Sequence, residues 1–428
     1  MHGFVIGLDL GTTGVRAIAV DAHGVLLGTG SASLPATVAT GLRREQNPAD
    51  WWEGCRSALR ELGNQIDLSD ARAIAVDATS GTILPVDNHN QPLAKARMYD
   101  DADTGDLAAK IKTLAPKESA AHGATSPAAR ALAWMKLPRL HCILHQADWI
   151  NHCLGATDWQ TDENNALKTG YDPVARNWPN WLPAFGLAPG LLPEVVPVGT
   201  RIGQVSDHAA LVLGIPPGIV IAAGTTDGCA TFLASGAELP GEAATAIGST
   251  LVLKVLCDQP IFAPELGIYS HRLGDRWLAG GASNCGGKTL LQFFDKDQLK
   301  RLEALMKPEQ STGLDYYPLP SPGERFPVSD PKLQPRLVPR PGDDAQFLQG
   351  MYEALARVEQ QGYARLTELG SPPLRSVRHA GGGSQSATWM RIRQSLLGAP
   401  LTPALSEEAA AGAARLAWRA LGREIKLA

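Results

Sequence analysis

The stretch Phe4–Asp21, FVIGLDLGTTGVRAIAVD, restricts the fold of this chain more than any other. Its apolar runs predict a buried strand over Phe4–Leu10 and a second over Val15–Asp21, joined by a turn of Gly11, Thr12, Thr13 and Gly14. Glycines in such a turn let successive N–H groups point into one concavity, which is how a loop holds phosphate oxygens. Thr12 and Thr13 add hydroxyl donors, and Asp9 at the strand end has the charge to hold Mg²⁺ through water. An ordinary Gly-rich hairpin satisfies the same pattern, so this stretch alone leaves both readings open.

A chain of 428 residues exceeds what one hydrophobic core usually organises, so two domains are expected, divided as 1–238 and 239–428 with the seam at Leu239–Gly241. A net charge of −4 offers no electrostatic footprint for nucleic acid or an anionic membrane. Any bound anion has to be gripped locally. No apolar run reaches the length of a membrane span, and the first residues lead straight into a strand, which argues for a soluble cytoplasmic protein. The six cysteines are scattered without a CxxC pair, as expected of reduced, buried thiols.

Further along, Asn47–Pro48 opens a helix that carries Trp51 and Trp52 and runs to about Leu62. Ala71–Asp77 reads as a buried strand delivering a small polar turn at Ala78–Thr82 that contains Ser80. The loop ARMYDDAD, Ala96–Asp103, places Asp100 beside it, and residues 104–155 read as mostly helical. Small hydroxyls and carboxylates at strand ends are where open α/β sheets place ligands, although turn chemistry alone explains them too. Ile219–Gly224 reads as a strand buried on both faces, ending in Thr225–Thr226–Asp227–Gly228 before a helix over Cys229–Ser235. The helix start favours an ionised Asp227, and an ionised aspartate within reach of a substrate hydroxyl is a general base. Capping of that helix is a compatible second role.

The second half repeats the opening pattern. Gly248, Ser249 and Thr250 form a small-residue turn between Ala243–Ala246 and the strand Leu251–Leu256, which suggests a duplicated architecture with a ligand cleft between the halves. Arg276–Gly280 leads into Gly281–Thr289, a Gly-rich turn that misses the Walker A spacing by one residue and includes Gly287. Residues 307–345 read as a long irregular excursion, and Ala345–Leu369 as an amphipathic helix. Ser376–Ala380 ends in three glycines before a helix over Ala387–Leu397; Gly382, Gly383 and Ser386 there would let a flat ring or a phosphate approach closely. Ser406–Glu408 caps a final Ala-rich helix over 409–421.

Taken in order, GLDLGTTGVRAIAVD, NPADWW, TDENNALKTGYD, the GTTDG loop, AIGSTLVL, GGASNCGG, PGERFP, GGGSQSATW and EEAAAGAARLA make the sequence resemble the FGGY carbohydrate kinases of the actin/Hsp70/sugar-kinase ATPase superfamily. The resemblance spans nearly the whole chain. It implies an α/β fold of two ribonuclease-H-like domains with mixed sheets flanked by helices, an N-terminal sugar domain and a C-terminal nucleotide domain. It further implies ATP and Mg²⁺ as cofactors and phosphorylation of a sugar hydroxyl, with closure of the domains excluding water.

Carried over by position, Asp9 would serve both metal and sugar, Asp227 would be the catalytic base, and Ser80 and Asp100 would join them at the sugar. Gly11, Thr12, Thr13, Gly248, Ser249, Thr250 and Gly287 would lie along the phosphates, and Gly382, Gly383, Ser386 and Trp389 would border the adenine. Three features depart from the family. Tyr99 precedes Asp100 where a Trp is usual, with Asp103 in the place of an Arg; Arg130 replaces a Lys; and the segment after PGERFP is short. The sequence looks closest to a compact branch that resembles xylulokinase but acts on D-ribulose. The implied partners are a small sugar, a ketopentose such as D-ribulose or D-xylulose, and ATP, and a homodimer is compatible with the resemblance. An actin- or Hsp70-like ATPase, or a sugar sensor without catalysis, uses the same scaffold.

Overall fold

The computed structural model describes residues 3–188 and 190–428, and the chain separates into two compact units. The first comprises residues up to Gly236 together with His271–Gly274 and Glu408–Ala428; the second comprises Ala237–Ser270 and Asp275–Glu407.

The expected opening hairpin forms the middle of the first unit's sheet. Strands Phe4–Leu10, Gly14–Asp21 and Leu26–Ser33 make an antiparallel meander. Ala71–Ala78 adds in parallel on the other side of the first strand, and Val220–Thr226 in parallel beyond it. Arg201–Gln204 closes that edge antiparallel. Phe4–Leu10 and Val220–Thr226 are buried at every position, which explains the continuous apolar run Ile219–Gly224 and the apolar residues ahead of Asp9. Helix Pro48–Gly63 starts on an Asn47 cap and buries Trp51, Cys55, Leu59 and Leu62 on one stripe.

Five strands of the second unit repeat this order. Arg276–Ser283, Leu251–Cys257 and Glu242–Ile247 form the antiparallel meander, and Ser376–Ala380 and Leu401–Pro403 follow in parallel. Helix Asp344–Glu368 covers the sheet with Phe347, Leu348, Met351 and Leu355, around a core that includes Phe326. Mixed sheets with flanking helices, built twice on one strand order, are the duplicated architecture expected from the two hairpins.

The division of the chain differs from the 239–428 expectation at its end. Helix Ala409–Ala420 belongs to the first unit, because its small-residue face lies flat against helix Asp227–Ser235 and the first sheet. At Gly412 a Cβ would stand 1.9 Å from the Ala230 carbonyl oxygen, so only glycine permits that approach. Trp418 anchors the helix, fully buried and donating from Nε1 to Val20 O at 3.1 Å. Residues 104–155 are also less helical than expected. Helices Leu107–Leu114, Pro127–Leu132 and Gln146–Leu154 are interrupted by the buried strand Cys142–His145, whose four apolar and polar residues are too few to reveal a period. Ser406–Glu408 makes no side-chain cap on the last helix; Glu408 is its N-cap by backbone geometry alone.

Candidate active site

In the first unit, three carboxyl groups sit at adjacent strand ends. Asp9 is the penultimate residue of Phe4–Leu10 and pairs in register with Asp77, whose other neighbour is Thr225. Two residues past Thr225, Asp227 begins helix Asp227–Ser235. The pairing slips between Ala222 and Thr225, where Gly224 lies so close that a Cβ would be 1.8 Å from Val76 O. That bulge re-aims the strand end that carries Asp227.

The three differ in surroundings. Asp77 is fully buried, and among the described residues no N–H or O–H donor reaches either oxygen. Burial first, then the negative charges of Asp9 and Asp227, hold its pKa well above the ordinary carboxylate range, which favours its neutral form. Asp9 is 8 % exposed. Burial raises its pKa to about 6, against the hydrogen bond from Asp77, which lowers it. The Arg16 guanidinium lies 3.6 Å from Asp9 Oδ2 and also pulls it down. Asp227 is half-buried; its Oδ1 accepts from Gly228 N at 2.7 Å, and its Oδ2 has no partner among the described residues. Asp227 is not the cap, since Thr226 holds the N-cap position without a side-chain bond; as the first helical residue it uses one oxygen on the next N–H and leaves the other.

The Gly11–Thr13 turn is held from behind. Gly11 N donates to Gly14 O at 3.0 Å, Leu34 N to Thr13 O at 2.9 Å, and Gln46 Nε2 to Thr12 O at 2.8 Å. Gln46 is fixed in turn by the buried Trp51, whose Nε1 donates to Gln46 Oε1 at 2.8 Å. The NPADWW signature thus acts on the turn through one glutamine.

Ser80 follows the Asp77 strand, with its Oγ buried and unpartnered. Asp100 is exposed, whereas its neighbour Asp101 is fully buried and bound by Arg97 Nε and Nη2, both at 2.5 Å. Asp103 pairs with Arg43 at 2.8 Å. Arg130 is buried and donates to the carbonyls of Gly81, Arg97, Met98 and Thr125, tying together the loops that carry Ser80 and Asp100. Desolvation lowers its pKa to about 10.

The second unit holds a cavity of about 440 Å³. Gly248 and Ser249 line it from the turn between two strands, and Gly287 from the short helix Gly287–Leu290. Gly382, Gly383, Ser386 and Trp389 complete the group of expected residues; Thr250 does not line it. The two turns are joined by Gly287 N donating to Gly248 O at 2.8 Å and Lys288 N to Ser249 O at 3.3 Å. Ser386 caps helix Ala387–Leu397 by accepting from Trp389 N at 3.1 Å. The Trp389 ring stacks on Tyr352 with centroids 4.5 Å apart and planes at 10°, and its Nε1 is buried without a partner. Arg393, one turn on, is fixed by a buried bidentate pair with Glu359, both contacts at 2.6 Å.

Two contributors were not singled out in the sequence. Asp77 was legible only as a strand end, although FVIGLDL and ARAIAVD share the same buried run closing on an aspartate. Lys288 lines the cavity beside Gly287 with its ammonium unpaired among the described residues. The Gly-Gly-Lys spelling was the available signal. Among the described residues no three His, Cys, Asp or Glu side chains converge as a metal cage, and no helix is long and apolar enough to cross a membrane.

Comparison with known proteins accounts for this arrangement. The chain is 22 % identical over 441 residues to the xylulose kinase of Staphylococcus epidermidis, covering 98 % of this chain and 88 % of that one. It is 26 % identical over 467 residues to the autoinducer-2 kinase of Yersinia enterocolitica, covering 98 % and 86 %. The crystal structure of xylulose kinase from Rhodospirillum rubrum superposes with a TM-score of 0.85 at 22 % identity, covering 99 % of this chain and 91 % of that one. Residues 4–234 match the N-terminal domain of the FGGY family of carbohydrate kinases and residues 243–421 match its C-terminal domain. The chain is therefore a sugar kinase and belongs to the FGGY family.

Proposed function

We propose that this kinase transfers the γ-phosphate of ATP to the primary hydroxyl of a ketopentose, D-ribulose or D-xylulose, with Asp227 as general base. The observation that carries the reading is the state of Asp227: one oxygen bound at its own helix N-terminus, the other without a partner among the described residues, directly after the strand that pairs beside Asp77 and Asp9. A carboxylate so placed orients a hydroxyl and takes its proton as the oxygen attacks phosphorus. Phosphoryl transfer asks for positioning and charge neutralisation more than for covalent chemistry. Ser80, Asp9 and Asp100 would orient the sugar.

The cavity of the second unit would take the nucleotide, with Gly382, Gly383, Ser386 and Trp389 at the base. Gly248, Ser249, Thr250, Gly287 and Lys288 would lie along the phosphates. Three lysines line this cavity (Lys288, Lys296 and Lys300) against one acid, Glu303, which already accepts from Tyr352 Oη at 2.5 Å. A protein of net charge −4 thus keeps a cationic lining where a polyanion would bind.

Mg²⁺ fits this donor set as an ion held through few protein ligands, since it retains several waters and takes one or two carboxylates plus substrate phosphates. Asp9, with its side chain 11 % exposed, is the residue that would hold it. When bound, the ion would neutralise charge on the β- and γ-phosphates.

The test is ADP release coupled to a panel of ketopentoses, pentitols and glycerol. Turnover that depends on an added ketopentose is expected. ATP turnover indifferent to every sugar would reject the acceptor reading in favour of a bare ATPase.

A further inference from the structure

Lys168 lays its side chain against the turn that carries Ser80. Its place is fixed by buried polar residues on both sides. Asp162 caps the helix Glu163–Leu167, Asn164 Nδ2 donates to Thr225 Oγ1 at 2.9 Å, and His145 contacts Thr161 Oγ1 at 3.0 Å and Thr169 Oγ1 at 2.9 Å. Lys168 is half-buried, yet the one hydrogen bond of its ammonium among the described residues is a long one, 3.5 Å to Ser80 O. No carboxylate pairs with it there.

The next carbonyl of the turn, Gly81 O, is taken by Arg130 at 2.7 Å. Two cations therefore hold successive carbonyls, while the Ser80 hydroxyl oxygen is buried with no partner among the described residues. Lys168 retains donors, and Ser80 retains an unmet hydroxyl, on the same turn. A buried polar group left unmet is costly, so the pair is built for something that arrives.

We propose that Lys168 is a specificity-determining residue that binds the acceptor through an oxygen that only accepts hydrogen bonds. Resting on the acceptor reading above, that oxygen is the carbonyl of an open-chain ketose or the carboxylate of a sugar acid. An ammonium group donates and never accepts. A hydroxyl placed against it must send its own hydrogen elsewhere, whereas a carbonyl or carboxylate need not. A site that binds one oxygen type in this way rejects the analogue lacking it.

Isothermal titration of the protein without nucleotide, using D-ribulose, ribitol and D-ribonate, tests this directly. Wild type should bind ribulose or ribonate more tightly than ribitol, the better of the two naming the oxygen. Lys168→Met should weaken that ligand about tenfold or more and leave ribitol within about twofold, and Lys168→Arg should restore the preference in part. Equal loss for all three ligands would make Lys168 a structural support of the Ser80 turn and overturn the proposal, as would unchanged binding in Lys168→Met or no binding by wild type. Phosphoryl transfer is measured separately. Lys168-dependent binding without transfer would leave this inference standing and remove the kinase reading of Asp227.

Discussion

Asp9 and Asp77 stand opposite each other on neighbouring parallel strands, and of the two only Asp9 reaches the surface. Such a pair cannot ionise twice in a buried setting, so the proton stays on the member with no other donor, Asp77. Asp9 is thereby left as the charged member at neutral pH, with its pKa at about 6.

Asp77→Asn follows from this arrangement. An amide replaces a carboxylic acid of the same shape and can still donate to Asp9. Stability at neutral pH should stay within about 1 kcal/mol of wild type or rise, because no buried charge is removed. Urea unfolding checks it. A loss of several kcal/mol would mean that Asp77 is ionised and bound by donors, contrary to its buried, donor-free surroundings.

Asp227→Ala should abolish sugar phosphorylation while the protein stays folded. The side chain makes one bond, to Gly228 N, so the structural cost is that of a lost helix N-terminal contact, about 1 kcal/mol. Circular dichroism and nucleotide binding report the fold, and the coupled assay reports transfer. Near-normal turnover would remove Asp227 from the reaction.

Much of this site can be read from the chain, for a definite reason. Asp9 and Asp227 close long apolar runs, and a buried run that ends on a charge marks a strand mouth whatever the tertiary fold. Asp77 closes such a run too, but its meaning lies in register: only the pairing of Asp9 with Asp77 turns two strand ends into one acid pair. The choice between Asp100 and Asp101 depends on a single residue of loop geometry, set by Arg97 four positions upstream. Helix Ala409–Ala420 was legible as a helix and not as part of the first unit. Its alanine face fits any flat surface, and only Gly412 against Ala230 records which one.

On the nucleotide side, Lys288→Met should raise the ATP KM about tenfold and leave the sugar KM within about twofold, since one charge-assisted contact is removed from an exposed side chain. Trp389→Ala is a poorer probe, because it would also open a cavity under Tyr352 at a cost of roughly 3–5 kcal/mol. Trp389→Phe keeps a ring in the stack and removes the buried Nε1; it should raise the ATP KM and spare that of the sugar. The reverse pattern in either variant would place these residues away from the nucleotide.

Asp162 supplies a pH-dependent test of the framework behind Lys168. It is fully buried, and burial raises its pKa to about 6, despite the bonds it accepts from Asn164 N, Asn165 N and Asn165 Nδ2. Unfolded, the same group titrates near 3.8. Between those values the native state holds a proton that the unfolded chain has released. The contribution of Asp162 to stability therefore falls as pH rises through that window and stays low above it. A shift of this size corresponds to at most about 3 kcal/mol. Asp162→Asn has no such proton to lose, and Asn165 Oδ1, buried and unpartnered, can accept from the new amide once the Asn165 side chain turns over. The variant should therefore gain stability relative to wild type on going from about pH 4 to about pH 7.5, by about 1–3 kcal/mol, whatever its offset at the acid end. Urea midpoints of both proteins at the two pH values measure that difference. A difference that stays constant with pH, or shrinks, would show that Asp162 is already ionised in the fold at pH 4 and that its caps outweigh its burial.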